Sequence, residues 1–166
     1  LKSDAVIWST RCHQELNNRE ALRKNIITLE EDFRLNRAQY ALLDEIQAEA
    51  SIKEGYYAEA AQHLERVIEK SKDKYKKTRI HYILGQLYLS LKEPEKALKE
   101  FNEVIKRNPK YEMVFNAKLT RTQTYVSDKK NFKELNESLQ KMLKDAKNIE
   151  YKDQIYFALA NLELKN

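Results

Sequence analysis

Glu45 and Glu49 stand four residues apart in a stretch whose apolar spacing predicts a helix, so their carboxylates share one face. Such a pair could work as general acid and base or hold a cation. Nothing around it favours that chemistry. Lys53, one turn further along, is placed to offset the like charges, and no nucleophile or Gly-rich loop accompanies the carboxylates. The remaining metal-ligand candidates, His13, His63, His81 and Cys12, fall on different helices or faces and lack the short repeated spacing of zinc sites. The expectation is therefore a chain without catalytic residues, metal or cofactor, with His81 packing inside its own helix pair. A single cysteine cannot form an internal disulfide and suits either redox compartment.

Lys70, Lys72, Lys74, Lys76 and Lys77 form the strongest charge run, and the net charge of +5 raises a nucleic-acid or membrane-surface reading. Glu69 and Asp73 dilute the run, and Tyr75 alone could stack on a base. The stretch from Ser71 to Lys77 is expected to be a protruding, solubilising loop, and Glu30, Glu31 and Asp32 a solvated helix end. No nucleic-acid partner is expected, and no apolar run is long enough to span a bilayer.

The elements that must position any site are helices. Glycine and proline number two each, Gly55, Gly85, Pro94 and Pro109, too few for the tight turns of a sheet protein. In residues 78–111, Gly85 and Ala97 sit where two antiparallel helices can approach closely. Leu84, Tyr88, Phe101 and Val104 fill the flanking space, and Pro109 stops the second helix. These offsets resemble a tetratricopeptide repeat, whose unit is about 34 residues. Gly55, Tyr57, Ala60, Leu64, Val67 and Ala48 mark a unit at 41–74. Trp8, Cys12, Ala21, Leu22, Ile26 and Leu29 mark a looser one at 3–36. Phe115, Leu119, Thr122 and Tyr125, then Leu135, Leu139, Met142 and Leu143, joined by a turn at 127–131, mark one at 112–147. Tyr156, Leu159, Ala160 and Leu164 open a further first helix at 151–165. The fold expected is all-α, a tetratricopeptide repeat right-handed superhelix of about nine antiparallel helices forming one array over 1–166.

The same resemblance implies where a partner would sit. In such stacks the first helix of each pair lines a concave groove. The inward places fall at Leu42, Glu45, Glu49, Ile52 and Lys53, at Arg79, Tyr82, Gln86, Leu89 and Ser90, and at Asn116, Leu119, Gln123, Val126 and Ser127. Amides, Arg and Tyr interleaved along a groove suit a peptide. The Lys and Asn of chaperone-tail clamps are replaced by Glu45 and Glu49, and by Tyr82 and Gln86, which disfavours that ligand.

The blocks Asn108 to Ala117, Lys141 to Asp145 and Asn148 to Leu159, with Leu64 to Ile68 and His81 to Tyr88, resemble the PorW/SprE tetratricopeptide lipoproteins of Bacteroidota. Ala160 stands where that pattern leads one to expect Gly. The resemblance implies a non-catalytic scaffold of the type IX secretion and gliding machinery in the periplasm. It would be attached to the outer membrane through a lipid anchor upstream of Leu1, with secretion subunits as partners. The start at Leu1 and the stop at Asn166 read as those of a fragment whose last helix would be covered by further sequence. A cytoplasmic tetratricopeptide regulator or RNA-associated adaptor is the alternative, carried by the basic balance alone.

Overall fold

The computed structural model describes residues 2–32, 34–124 and 129–165. Tyr125, Val126, Ser127 and Asp128, and the side chains of Asp32, Lys129 and Lys130, lie outside the described residues. Among the described residues the secondary structure is entirely helical, as the spacing predicts: α1 Lys2–Glu15, α2 Arg19–Asp32, α3 Arg37–Glu54, α4 Tyr57–Lys70, α5 Lys74–Ser90, α6 Pro94–Arg107, α7 Tyr111–Arg121, α8 Lys129–Lys144 and α9 Lys152–Leu164. Short 3-10 turns occupy Thr122–Thr124 and Ala146–Tyr151. The chain divides into two compact units, Leu1–Lys77 and Thr78–Asn166.

One turn geometry recurs. α1, α3 and α5 each end in a left-handed residue, Asn17 (φ 54°), Gly55 (φ 83°) and Lys92 (φ 60°). In each case the next amide reaches back to close the helix: Asn18 to the His13 carbonyl, Tyr56 to Ser51 and Glu93 to Tyr88, all at 2.8 Å. These are Schellman caps, which satisfy carbonyls that the helix end would otherwise leave open. Five residues beyond each cap, a buried Leu22, Ala60 or Ala97 seats the second helix on the first. Pro94 begins α6 in the first turn, where its missing N–H is harmless.

In the first unit α1 packs on α2 and α3, and α3 on α4, around Ile7, Leu22, Leu29, Leu35, Leu43 and Ile46. The inward face of α1 differs from the one expected. Ile7, Thr10 and Gln14 are buried, whereas Trp8 is 62% exposed and Cys12 is exposed. The polar pair tolerates burial because both find partners: the Thr10 hydroxyl donates to the Val6 carbonyl at 2.6 Å, and Gln14 Nε2 donates to Glu49 Oε2 at 2.7 Å.

The lysine-rich stretch is not the loop expected of it. Only Ser71, Lys72 and Asp73 separate α4 from α5. The Asp73 carboxylate accepts the backbone N–H groups of Tyr75 and Lys76 at 2.8 and 3.0 Å, which caps a helix start. Lys74, Lys76 and Lys77 therefore belong to the first turn of α5 instead of bulging between helices.

In the second unit Gly85 is a contact point. A Cβ there would lie 2.6 Å from Phe101 Cε1, so α5 and α6 approach as the small residue allows. The Phe101 ring is fully buried and meets Tyr82 edge-on at 5.9 Å. His81 Nδ1 lies 2.6 Å from Glu100 Oε2, placing this histidine inside its own helix pair. A second core joins Phe115 of α7, Leu135, Leu139 and Met142 of α8, and Ile155, Ala158 and Leu162 of α9. On α9 the inward face is only in part the expected one: Leu159 packs against this core, but Tyr156 is 60% and Leu164 85% exposed, and Ala160 is exposed. The hydrophobic stripe runs at 155, 158 and 162, one residue away, because those positions face the α8 leucines.

Candidate functional site

α7 and α9, both first helices of their pairs, lie against each other in the second unit. Their spacing is set by a latch ahead of α9. Asn148, 1% exposed, donates from Nδ2 to the Met142 carbonyl at 2.8 Å and accepts the Tyr111 hydroxyl at Oδ1. The Phe115 ring then packs on Tyr151 at 5.2 Å. The result is a groove of about 950 Å³, walled by Leu89 at the end of α5, by Asn116, Leu119 and Gln123 from α7 and the following turn, and by Gln154, Phe157, Asn161 and Lys165 from α9 and its end.

The lining is amide-rich and nearly neutral. Asp153 stands at one end of α9 and Lys165 at the other, where the Lys165 ammonium also reaches the Gln123 carbonyl at 3.4 Å. α9 is about 20 Å long, the reach of about six residues of extended chain. Leu89, Leu119 and the 71%-exposed Phe157 offer apolar contact, and four amide side chains can pair with a peptide backbone. Among the described residues Asp153 is the one carboxylate of the lining, which also carries the hydroxyls of Thr120 and Thr122. Such a surface can hold a polypeptide.

The structure thus brings together Leu89, Asn116, Leu119 and Gln123 of the positions read from the sequence. Arg79 and Gln86 are exposed elsewhere on α5, Tyr82 packs on Phe101, and the Ser90 hydroxyl donates to the Gln86 carbonyl at 3.1 Å. In the first unit, Leu42 lines a separate cleft and Ile52 is half-buried. Glu45 pairs with Lys76 at 2.7 Å, and Glu49 with Arg11 at 3.3 Å and with Gln14. The two carboxylates are therefore neutralised from other helices. Lys53, expected to screen them, donates instead to the Gln14 carbonyl at 3.4 Å. The α9 half of the site was missed, although a signal existed: Asn116, Leu119 and Gln123 are spaced three and four apart, and Gln154, Phe157 and Asn161 repeat that spacing.

Also missed was Asp44, 5% exposed between α3 and α4. Its carboxylate meets His63 Nδ1 at 3.1 Å, Arg66 Nε at 2.8 Å and the Lys70 ammonium. Burial by itself pushes this carboxyl up, but the hydrogen bonds from His63, Lys70 and Arg66 outweigh it and hold the pKa at about 2. The cluster ties α4 to α3. Among the described residues no group of three or more His, Cys, Asp or Glu side chains could hold a metal, and no helix is long and apolar enough to cross a membrane.

The tetratricopeptide repeat family model matches residues 51–118, which run from the end of α3 through most of α7. The match supports a tetratricopeptide repeat protein, and such repeats are in general non-catalytic scaffolds that bind other proteins. It speaks to the repeat alone. Comparison with curated proteins finds no match.

Proposed function

We propose that the chain is a scaffold that holds an extended segment of another protein in the α5–α7–α9 groove, as part of the type IX secretion and gliding machinery in the periplasm. The observation that carries the binding role is the convergence of first-helix positions at Leu89, Leu119, Gln123, Phe157 and Asn161 on one neutral, amide-lined groove. The narrower assignment is supported by the PorW/SprE-like blocks at Asn108 to Ala117 and Asn148 to Leu159. Those blocks supply Tyr111 and Asn148 of the latch and Asn116, Gln154 and Phe157 of the groove wall. A lipid anchor outside residues 1–166 would hold such a scaffold at the outer membrane.

The test is pull-down from envelope extract of a gliding Bacteroidota cell at physiological salt. Immobilised wild-type chain is compared with Phe157→Ala and with Gln123→Ala, Asn161→Ala. Secretion-machinery subunits identified by mass spectrometry should be recovered by the wild type and lost with Phe157→Ala, since an exposed aromatic anchor carries about 2 kcal/mol or more of a peptide interface. Equal recovery by all variants would remove the groove from the proposal. Recovery of cytoplasmic proteins or RNA alone would remove the compartment.

A further inference from the structure

We infer that the first unit carries a second recognition site, for an acidic protein segment, separate from the groove proposed above. The start of α3, the end of α4 and the start of α5 surround a cleft of about 570 Å³. Ala38, Ala41 and Leu42 give it an apolar lining, and Arg37, Lys70, Lys72 and Lys76 line it with positive charge.

Three of these cations are held in place. Arg37 Nε donates to the Lys70 carbonyl at 3.0 Å, and its Nη2 to the Glu69 carbonyl. Lys70 bonds Asp44 and stands 5.3 Å over the Tyr40 ring. Lys76 pairs with Glu45 at 2.7 Å. A guanidinium carries five N–H donors and an ammonium three, so these contacts position each cation without exhausting it, and Lys70 and Lys76 keep 27% and 37% of their side-chain surface exposed. Cations fixed before a ligand arrives lose less side-chain freedom on binding it. Among the described residues the opposing carboxylates are fewer. Asp44 and Glu45 already pair with Lys70 and Lys76, and Asp73 is engaged by the first-turn amides of α5. Lys72 extends into solvent.

Carboxylates of Asp or Glu flanking one apolar side chain complement this arrangement, the apolar group meeting the lining at Ala38 and Leu42. Among the described residues no aromatic side chain lines the cleft for a base to stack upon. Its concave apolar lining admits a side chain in a way that a plane of lipid headgroups cannot use.

The experiment is fluorescence anisotropy with the full 166-residue chain and a labelled peptide carrying Glu residues on either side of a Leu, at low and physiological salt. Lys72→Glu and Ala38→Glu change exposed positions, and an acidic residue in the first turn of α3 suits the helix dipole, so both should keep wild-type circular dichroism. Each should weaken the peptide about tenfold, with the loss greatest at low salt. Phe157→Ala should leave this affinity unchanged, which separates failure here from failure of the α7–α9 groove. Equal binding by wild type and both variants would overturn the site. Tighter binding of an oligonucleotide or of phosphatidylglycerol vesicles than of the peptide, with the same sensitivity to Lys72→Glu, would overturn the partner class.

Discussion

Replacing Gly85 with alanine sets two known effects against each other. Alanine in a helix interior is favoured over glycine by about 0.5–1 kcal/mol, because glycine gives up more backbone freedom on folding. At Gly85 the new Cβ would stand 2.6, 2.7 and 2.9 Å from Phe101 Cε1, Cζ and Cδ1. Those are rigid ring atoms, fully buried and braced by Tyr82. Relief requires α5 and α6 to separate or the ring to leave its rotamer, and overpacking of this kind costs about 1–3 kcal/mol. The clash wins, leaving Gly85→Ala destabilising by about 1–2 kcal/mol once the propensity gain is subtracted. Urea unfolding followed by far-ultraviolet circular dichroism would read this as a lower midpoint. The cause is isolated in a Phe101→Leu background: there the ring atoms are gone, and Gly85→Ala should become neutral or mildly stabilising, a coupling that a double-mutant cycle measures. A Gly85→Ala chain more stable than the wild type would refute the reasoning, because the close approach of the two helices would then not depend on the missing side chain.

Gly55 offers the contrast. Its Cβ would meet nothing within 4 Å, yet its φ is 83°, so Gly55→Ala should cost about 1–2 kcal/mol from backbone strain alone, and no second substitution should rescue it. The reciprocal change, Lys92→Gly at φ 60°, should raise stability by about 0.5–1 kcal/mol for the same reason, read as a higher urea midpoint. Asp44 sets an acid limit. Its pKa is about 2 in the folded chain against an ordinary 3.8, so its contribution is complete above about pH 4 and disappears as pH falls through about 2. After allowing for solvent around Arg66 and Lys70, that contribution is about 1–2 kcal/mol. Urea midpoints between about pH 5 and 2.5 should fall more steeply for wild type than for Asp44→Asn, and parallel slopes would contradict the role given to this carboxylate. Asn148→Ala would leave the Met142 carbonyl and the Tyr111 hydroxyl without the partners they now have. A loss of about 1–3 kcal/mol is expected, together with faster hydrogen exchange in α9 than in α5.

The all-α class and the seam between α5 and α6 were legible because both depend on local sterics. A glycine and an alanine facing a phenylalanine leave few other ways for two helices to pack. What could not be read was decided by partners distant in sequence. The apolar stripes of α1 and α9 each admit two adjacent faces, and a one-residue rotation separates them. Gln14 chose for α1 by finding Glu49, and the α8 leucines chose for α9. The lysine run looked like a loop by composition, yet a single carboxylate, Asp73, made it the first turn of a helix. Asp44 was invisible because an acidic residue in a predicted helix carries no sign of being buried until Arg66 and Lys70 are brought against it.

The groove poses a different problem, since its sequence signal was present and stopped one helix short. Leu119 and Gln123 have counterparts at Phe157 and Asn161 only if α9 lies beside α7 in matching register. Helical periodicity cannot guarantee that register across the residues of α8 and its flanking turns. The Tyr111–Asn148–Met142 latch and the Phe115–Tyr151 contact fix it instead. A repeat needs only small and large apolar residues in order, but aligning these two first helices into one groove wall uses a buried amide, a hydroxyl aimed at it, and an aromatic pair to close the gap. It follows that losing Asn148 should weaken a ligand held between Leu119 and Phe157 even though Asn148 does not line the groove.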